Sequence, residues 1–135
     1  MRTAQSIAAI DGITGFIVGT DNSATFGAAE LQPSATYSTS SIAATYFFGT
    51  EDPSDNTVSN EAGAVTVASN GTVTGTEDKS GQSGLTTNQA VSGTVTINSD
   101  GTGNIGSNTV AITNGTRLFF IDGSGGPAVI HVAEK

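Results

Sequence analysis

Few residues in this sequence could do chemistry, and the single histidine, His131, is the first candidate for acid–base catalysis. A hydrolytic triad would need a serine nucleophile and a carboxylate beside it. The sequence contains no nucleophile-elbow pattern, and His131 stands between Ile130 and Val132 in a strand-like segment. Strand alternation places the histidine opposite these two apolar neighbours. We therefore expect a surface histidine and no catalytic residue.

Two acidic segments could bind a hard cation. Residues 51–56 contain three carboxylates, and residues 100–104 carry oxygen-bearing side chains at alternate positions, as calcium loops do. The second segment lacks the terminal glutamate of an EF-hand. A hairpin turn at Asp100-Gly101 accounts for the same residues, and a solvated loop accounts for the first segment. The sequence thus predicts no metal site.

Glu77, Asp78 and Lys79 form a third polar group. We interpret it as part of a loop rather than an acid–base pair, because nothing apolar nearby would shift a pKa. A lysine–asparagine isopeptide crosslink would need a buried lysine, whereas Lys79 lies in a Ser/Gly/Gln-rich stretch and Lys135 is terminal. We expect neither enzymatic activity nor a cofactor.

Composition excludes several classes of partner. The net charge is −8, from twelve acidic residues against four Lys and Arg. A nucleic-acid surface needs clustered Lys and Arg to displace counterions from phosphates, so no nucleic-acid partner is expected. No apolar run approaches the roughly 20 residues needed to span a bilayer, which argues against membrane insertion. The absence of cysteine excludes disulfides and thiolate metal sites.

The elements that position these residues are strands. Threonine, valine and 18 glycines are abundant, whereas helix formers are scarce. Three dipeptides flanked by apolar/polar alternation predict hairpins with type I′ turns: Asn70-Gly71, Asp100-Gly101 and Asn114-Gly115. Three runs apolar at every position predict strands covered on both faces: residues 16–18, 46–48 and 118–121.

The predicted fold is all-β. We expect about eight strands from residue 42 onward and two before it, with loops at 32–41, 51–60 and 77–89. Consecutive hairpins make an up-and-down antiparallel meander that closes as a barrel of about eight strands. A sandwich uses the same alternation and is the alternative.

An internal repeat divides the chain. Residues 15–30 and 119–134 align without a gap at an offset of 104 and are identical at six of sixteen positions. The identities are Phe16/Phe120, Ile17/Ile121, Gly19/Gly123, Ala24/Ala128, Ala29/Ala133 and Glu30/Glu134. The sequence therefore predicts an N-terminal segment, 1–35, that duplicates the C-terminal hairpin of a β domain, 36–135. Such a segment would be the closing hairpin of a preceding module.

Four runs carry a resemblance to a known family. They are residues 46–53 (YFFGTEDP), 60–63 (NEAG), 70–76 (NGTVTGT) and 132–134 (VAE). In these runs the chain resembles tandem β-repeat modules of very large secreted proteins from soil bacteria. The resemblance implies an extracellular or cell-surface location and a structural or adhesive role. It names no ligand and transfers no catalytic residue.

The function we expect is that of an extracellular structural module, either self-assembling or acting as a spacer in a surface array. The candidate interface residues are Phe16, Ile17, Val18 and Phe26 of the N-terminal hairpin. A strand this apolar is aggregation-prone as a free edge. Adding it to a neighbouring copy would bury it, and repeated head to tail this contact makes a homo-oligomer or filament. A compact monomer that contains every strand remains the other arrangement.

A barrel that binds a small ligand or carbohydrate is the alternative function, because eight-stranded meanders can hold a ligand in the barrel mouth. A glycan or another surface ligand would then be the partner. Sugar-binding surfaces usually expose Trp or Tyr, and this chain offers only Tyr37 and Tyr46.

Overall fold

A computed structural model describes residues 6–9, 14–18, 26–33, 35–50, 60–106, 109–122 and 129–135. The chain divides into two compact units, Met1–Pro33 and Ser34–Lys135. The first unit contains β1 (Ser6–Ala9), β2 (Thr14–Val18) and β3 (Phe26–Glu30). The second contains a 3₁₀ helix (Thr39–Ile42), β4 (Ala44–Thr50), β5 (Asn60–Val67), β6 (Thr72–Gly81), β7 (Gly84–Ile97), β8 (Thr102–Ile105), β9 (Thr109–Thr113), β10 (Arg117–Asp122) and β11 (Val129–Glu134).

The second unit is a closed antiparallel barrel. Strands β4 to β11 pair in chain order, and β11 returns to pair with β4, from His131 opposite Thr50 to Glu134 opposite Phe47. The barrel of about eight strands predicted from the sequence is therefore confirmed, and the sandwich alternative is wrong. Short hairpin connections favour this order because they join strands that are neighbours in space.

The barrel interior follows the two-residue period of its strands. In β7, Val95 and Ile97 are buried, whereas Thr94 and Thr96, which precede them, are exposed. The threonines cover the outer surface with hydroxyl groups, and the β-branched apolar residues fill the inside. The core joins the strands to the segment before β4 and comprises Tyr37, Ile42, Tyr46, Val67, Val73, Val95, Ile97, Leu118 and Ala133.

The hairpin between β5 and β6 turns at Asn70-Gly71, as predicted, but not as type I′. A type I′ turn needs positive φ at both central residues, and Asn88 is the one non-glycine residue with positive φ in the described part of the chain. Gly71, at φ 86°, donates its N–H to Ala68 O at 2.9 Å, and Ala68 N donates to Thr72 O at 2.9 Å. This is a three-residue connection with a left-handed glycine that forms a G1 bulge.

The hairpin between β7 and β8 repeats this arrangement at Asp100-Gly101. Gly101 has φ 87° and donates to Asn98 O at 3.0 Å. The Asp100 carboxylate accepts from the backbone N of Thr102 at 2.9 Å. Asp and Asn suit this position because their short side chains bond the backbone two residues on.

One end of the barrel is closed by the segment before β4. Tyr37 N donates to Ser99 O at 3.1 Å, and Ile97 N donates to the Thr39 hydroxyl at 3.0 Å. The 3₁₀ helix begins in the predicted 32–41 loop and ends one residue beyond it, at Ile42, which is fully buried. The hairpins β5–β6 and β7–β8 turn at this end, because alternate connections of an up-and-down barrel lie at the same end.

Three further expectations need correction. The predicted loop 77–89 is instead the ends of β6 and β7, which continue to Gly81 and from Gly84. The N-terminal hairpin gains a third strand, β1, so the first unit is a three-stranded sheet. The run 46–48 is not covered on both faces, because Phe47 is 70% exposed. Of the predicted 51–60 loop, residues 51–59 lie outside the described part of the chain.

Close backbone approach makes one strand glycine sensitive to substitution. A Cβ on Gly103 would overlap the carbonyl oxygen of Thr96 on the neighbouring strand, whereas a Cβ on Gly93 would have no heavy atom within 4 Å. We expect Gly103→Ala to lower the free energy of unfolding by about 1–3 kcal/mol. The matched control, Gly93→Ala, should be neutral or slightly stabilising because glycine weakens strands. Urea denaturation followed by circular dichroism measures both, and equal effects would contradict the explanation.

Candidate functional site

The barrel encloses a cavity of about 200 Å³. Eight-stranded barrels are usually just wide enough for side chains to fill. Here many of the inward positions around the space carry valine rather than a larger side chain. The wall is mainly aliphatic and aromatic, and includes Phe48, Val65, Val91, Val95, Ile105 and Phe120. The space follows from a core with few large residues.

A charged cluster lies at one side of the cavity. The Lys79 Nζ is 3.0 Å from Glu61 Oε1 and 2.8 Å from Glu77 Oε1. Glu61 is directly opposite Lys79 in the pairing of β5 with β6, and Glu77 precedes Lys79 by two positions on the same face. The side chains are 38% (Lys79), 20% (Glu61) and 12% (Glu77) exposed. The cluster therefore stands where the cavity meets water.

Lys79 is held in its cationic form. Its hydrogen bond to Glu77 raises the pKa of the ammonium group, and the Glu61 carboxylate adds to this, against partial burial, which lowers it. Two carboxylates thus face one ammonium group across this part of the wall, which leaves an excess of acceptor oxygens. The prediction that residues 77–79 form a polar loop was wrong, because Glu77 and Lys79 lie on strand β6.

A β-bulge fixes the strand pair beside this cluster. The register between β6 and β7 shifts between Glu77 and Lys79. Asn88, at φ 54°, lies at the bulge and donates its backbone N–H to the Asp78 carboxylate at 2.8 Å. Bulges bend a strand and redirect its side chains. Asp78 therefore stabilises the pairing of β6 with β7 from the outer face, whereas Glu77 and Lys79 face the barrel interior.

His131 lies inside the barrel, contrary to the expected surface position. It is 4% exposed, lines the cavity, and stacks on Phe120 with ring centroids 4.7 Å apart and an interplanar angle of 1°. The two residues are direct cross-strand partners in β10 and β11. The outward position belongs to Ile130, which is 46% exposed. The prediction from hydropathy was wrong, because the apolar Ile130 is exposed and the more polar His131 is buried.

Tyr46 is fully buried at the packed end of the barrel, which the segment before β4 covers. Its hydroxyl donates to the carbonyl oxygen of Ile42 at 2.8 Å. Burial raises the pKa of Tyr46 to about 12. The folded barrel therefore favours the neutral phenol. Tyr37, also buried, packs in the same cluster. Neither tyrosine forms the exposed platform that a sugar site usually needs.

The acidic segments do not build a metal site in the part of the chain that the structure describes. The Asp100 carboxylate bonds the hydroxyl and backbone N–H of Thr102, and these bonds lower the pKa of Asp100. Within the described ranges no three His, Cys, Asp or Glu side chains are grouped to hold a metal ion, and no helix there is long and apolar enough to cross a bilayer. Residues 51–56, the other candidate, lie outside the part of the chain that the structure describes.

The predicted interface residues lie in the N-terminal sheet. Phe16, Ile17 and Val18 form most of β2, and Phe26 begins β3 directly opposite Val18. On its other side β2 pairs with β1, where Ser6 is opposite Val18. The described part of this sheet is its backbone, so the apolar contacts expected of these side chains stay a prediction.

The N-terminal sheet has the strand order of the last three barrel strands. Val18 lies between Ser6 and Phe26, just as Ile121 lies between Val110 and Ile130. No single offset maps all three strands: an offset of 104 residues for the outer strands requires 103 for the middle strand, and 104 for the middle strand requires 103 for the outer strands. With the first choice Phe16 corresponds to Phe119, one residue away from the gap-free sequence alignment.

An apolar surface lies on the outside of β10, β11 and β4. Ile121 is 45% exposed and lies directly opposite Ile130, and Phe47 on β4 is 70% exposed. An ion pair between Arg117 and Glu134 lies between β10 and β11. Exposed apolar side chains grouped in this way commonly mark contacts with another protein surface.

The chain was compared with protein-family models, with curated proteins and with solved structures, and none of the three comparisons gave a match. Functional inference therefore depends on the geometry itself.

Alkaline titration tests the role of Tyr46. Above pH 10 an unfolded tyrosine loses its proton, whereas Tyr46 keeps its proton until about pH 12. The unfolded state then binds fewer protons, so stability falls by up to about 1.4 kcal/mol per pH unit in this window. We expect Tyr46→Phe to cost about 1 kcal/mol at neutral pH, through the lost hydrogen bond, and to decline less steeply above pH 10.

Urea denaturation of both proteins between pH 7 and 11.5 measures this difference. Lys79 is present in both, so its own loss of stability as the pH rises through its raised pKa cancels in the comparison. Equal slopes above pH 10 would show that Tyr46 does not titrate as its burial implies.

Proposed function

We propose that the chain is a structural module of an extracellular or cell-surface array of β-barrels. The observation that carries this proposal is the equivalence of β1–β2–β3 to β9–β10–β11 in order, direction and spacing. In a tandem array, residues 6–30 would close one barrel and residues 44–134 would form the next. The repeating unit would then be about 104 residues long, the offset between the two sheets.

The outer strands of the N-terminal sheet favour this arrangement. In the barrel, β9 pairs with β8 and β11 pairs with β4. The equivalent strands β1 and β3 stand at the two edges of their sheet. Edge strands present backbone groups that attract further strands. Five strands equivalent to β4–β8 would pair with both edges and close a second barrel.

A head-to-tail filament made by strand addition has less support. Each barrel strand pairs with two neighbours over part of its length, but residues 84–93 of β7 pair with β6 alone, so the acceptor edge that a second copy's barrel offers to β1 or β3 is limited to such a stretch. Copies could still associate edge to edge through their N-terminal sheets. The tandem spacer is therefore the preferred form of the structural role, and self-association is the second.

Surface chemistry agrees with a structural role. The outer face carries hydroxyl side chains, such as Thr45 and Thr66, whose oxygens are 3.2 Å apart on neighbouring strands. Such cross-strand pairs stabilise sheets without creating a reactive site. The apolar surface around Phe47, Ile121 and Ile130 offers a contact area for an adjacent module or copy.

A tandem chain tests the proposal. Residues 34–109 fused directly before residues 6–135 supply five strands and keep the 104-residue spacing, since Ser6 corresponds to Val110. We expect two barrels, with the amides of β1 and β3 protected from hydrogen exchange as strongly as those of β9 and β11. A fusion with the sequence 34–109 shuffled is the matched control. Equally fast exchange of β1 and β3 in both fusions would contradict the array.

Size measurement separates the second form. If copies associate through the N-terminal sheet, light scattering should show more than one chain per particle for the 135-residue protein. The tandem fusion, in which that sheet is already paired, should show fewer chains per particle. A monodisperse monomer of the 135-residue chain at all concentrations would remove self-association and leave the tandem form standing.

A further inference from the structure

We infer that the barrel cavity binds a small molecule with an apolar, ring-sized body and one cationic amino group. This site is independent of the structural role proposed above, because it depends on the barrel interior alone.

The volume limits the body of the ligand. At about 200 Å³, the cavity is larger than the roughly 150 Å³ cavity that holds benzene. It is smaller than the roughly 300–1,000 Å³ of sites for drug-sized molecules. A single ring with a short substituent matches this space, whereas an oligosaccharide or a fatty acid does not.

The wall suits an apolar ring. Phe48 on β4 and Phe120 on β10 line the cavity from the two strands that flank β11. Valines from three further strands complete the lining. His131, which is stacked on Phe120, also lines the cavity. Apolar walls of this kind favour molecules that give up little hydration.

The charged cluster determines the preferred sign of the ligand. Glu61 and Glu77 line the cavity, and both bind the ammonium group of Lys79. Lys79 is the most exposed of the three, and its long flexible stem allows the ammonium group to move into water. A ligand ammonium group can then take its place between the carboxylates. An anionic ligand would instead meet two carboxylates at the entrance.

Three isosteric probes separate charge from shape: 2-phenylethylamine, 2-phenylethanol and phenylacetate. Calorimetry with the full chain should show saturable binding of the amine, at least about tenfold tighter than that of phenylacetate, because a bond to a charged partner contributes that much. The alcohol should fall between them. Equal affinities for the amine and phenylacetate would overturn the assignment, as would absence of saturable amine binding.

Variants assign the roles. Lys79→Met frees both carboxylates and should tighten amine binding about tenfold, whereas Glu61→Gln with Glu77→Gln should weaken it by a similar factor. Val91→Phe fills the cavity and should abolish binding of all three probes. The matched control, Glu134→Gln, removes a carboxylate from the outer surface and should leave binding unchanged. Unchanged amine affinity in Lys79→Met would overturn the displacement of Lys79, even if the double variant failed to fold.

Discussion

The pairing of β11 with β4 is the constraint on which the rest of the barrel depends. It joins the last four residues of β11 to the last four of β4, strands that lie at opposite ends of the barrel sequence. Without it, the sheet would have two free edges, each a site for pairing with another chain. With it, the first and the last strand of the barrel sequence are both paired on two sides, although residues 84–93 of β7 still pair with β6 alone. Closure also determines which face of each strand is inside, and so turns His131 and Ala133 toward the core.

Closure creates an interior that this composition fills only in part. The large core side chains, Tyr37, Ile42 and Tyr46, gather at the end covered by the 3₁₀ helix. Toward the other end, valines line the interior, and the charged residues of β5 and β6 follow. A packed end gives stability through burial of apolar area. The open end gives up that stabilisation, and the Lys79 ion pairs there are too exposed to replace it. The cavity thus follows from a division of the barrel into a stable half and a hollow half.

Local features could be predicted from the sequence, because they depend on neighbours in the chain. Asn70-Gly71 and Asp100-Gly101 mark hairpins through the backbone preferences of a few residues. The turn type could also have been derived. A type I′ turn centred on Asn70-Gly71 would place Val67 opposite Thr74, an apolar residue opposite a polar one. The observed three-residue connection places Val67 opposite Val73. Cross-strand partners face the same side, so the burial pattern excludes the two-residue turn.

Features that depend on closure could not be predicted in the same way. The inward position of His131 is set by its pairing partners, Phe120 and Thr50, of which the second is 81 residues away. The neighbours of His131 in sequence favour the opposite face. Likewise, Glu61 and Lys79 meet because β5 and β6 remain paired beyond the predicted end of the hairpin. Serine, glycine and glutamine indicated a loop there, but strand propensity is weak beside the pairing that two long neighbours impose.

The repeated sheet shows the same dependence of register on partners. Residues 16–18 are apolar at every position, as are residues 118–121, so either register of such a strand places an apolar side chain on each face. A one-residue slip normally exchanges core and surface residues and is therefore resisted. Here it costs little, which explains why the middle strand and the outer strands of the two sheets differ in offset by one residue. The strands that flank such a hairpin, rather than the hairpin itself, must fix its register, as β4 and β8 do through β11 and β9 in the closed barrel.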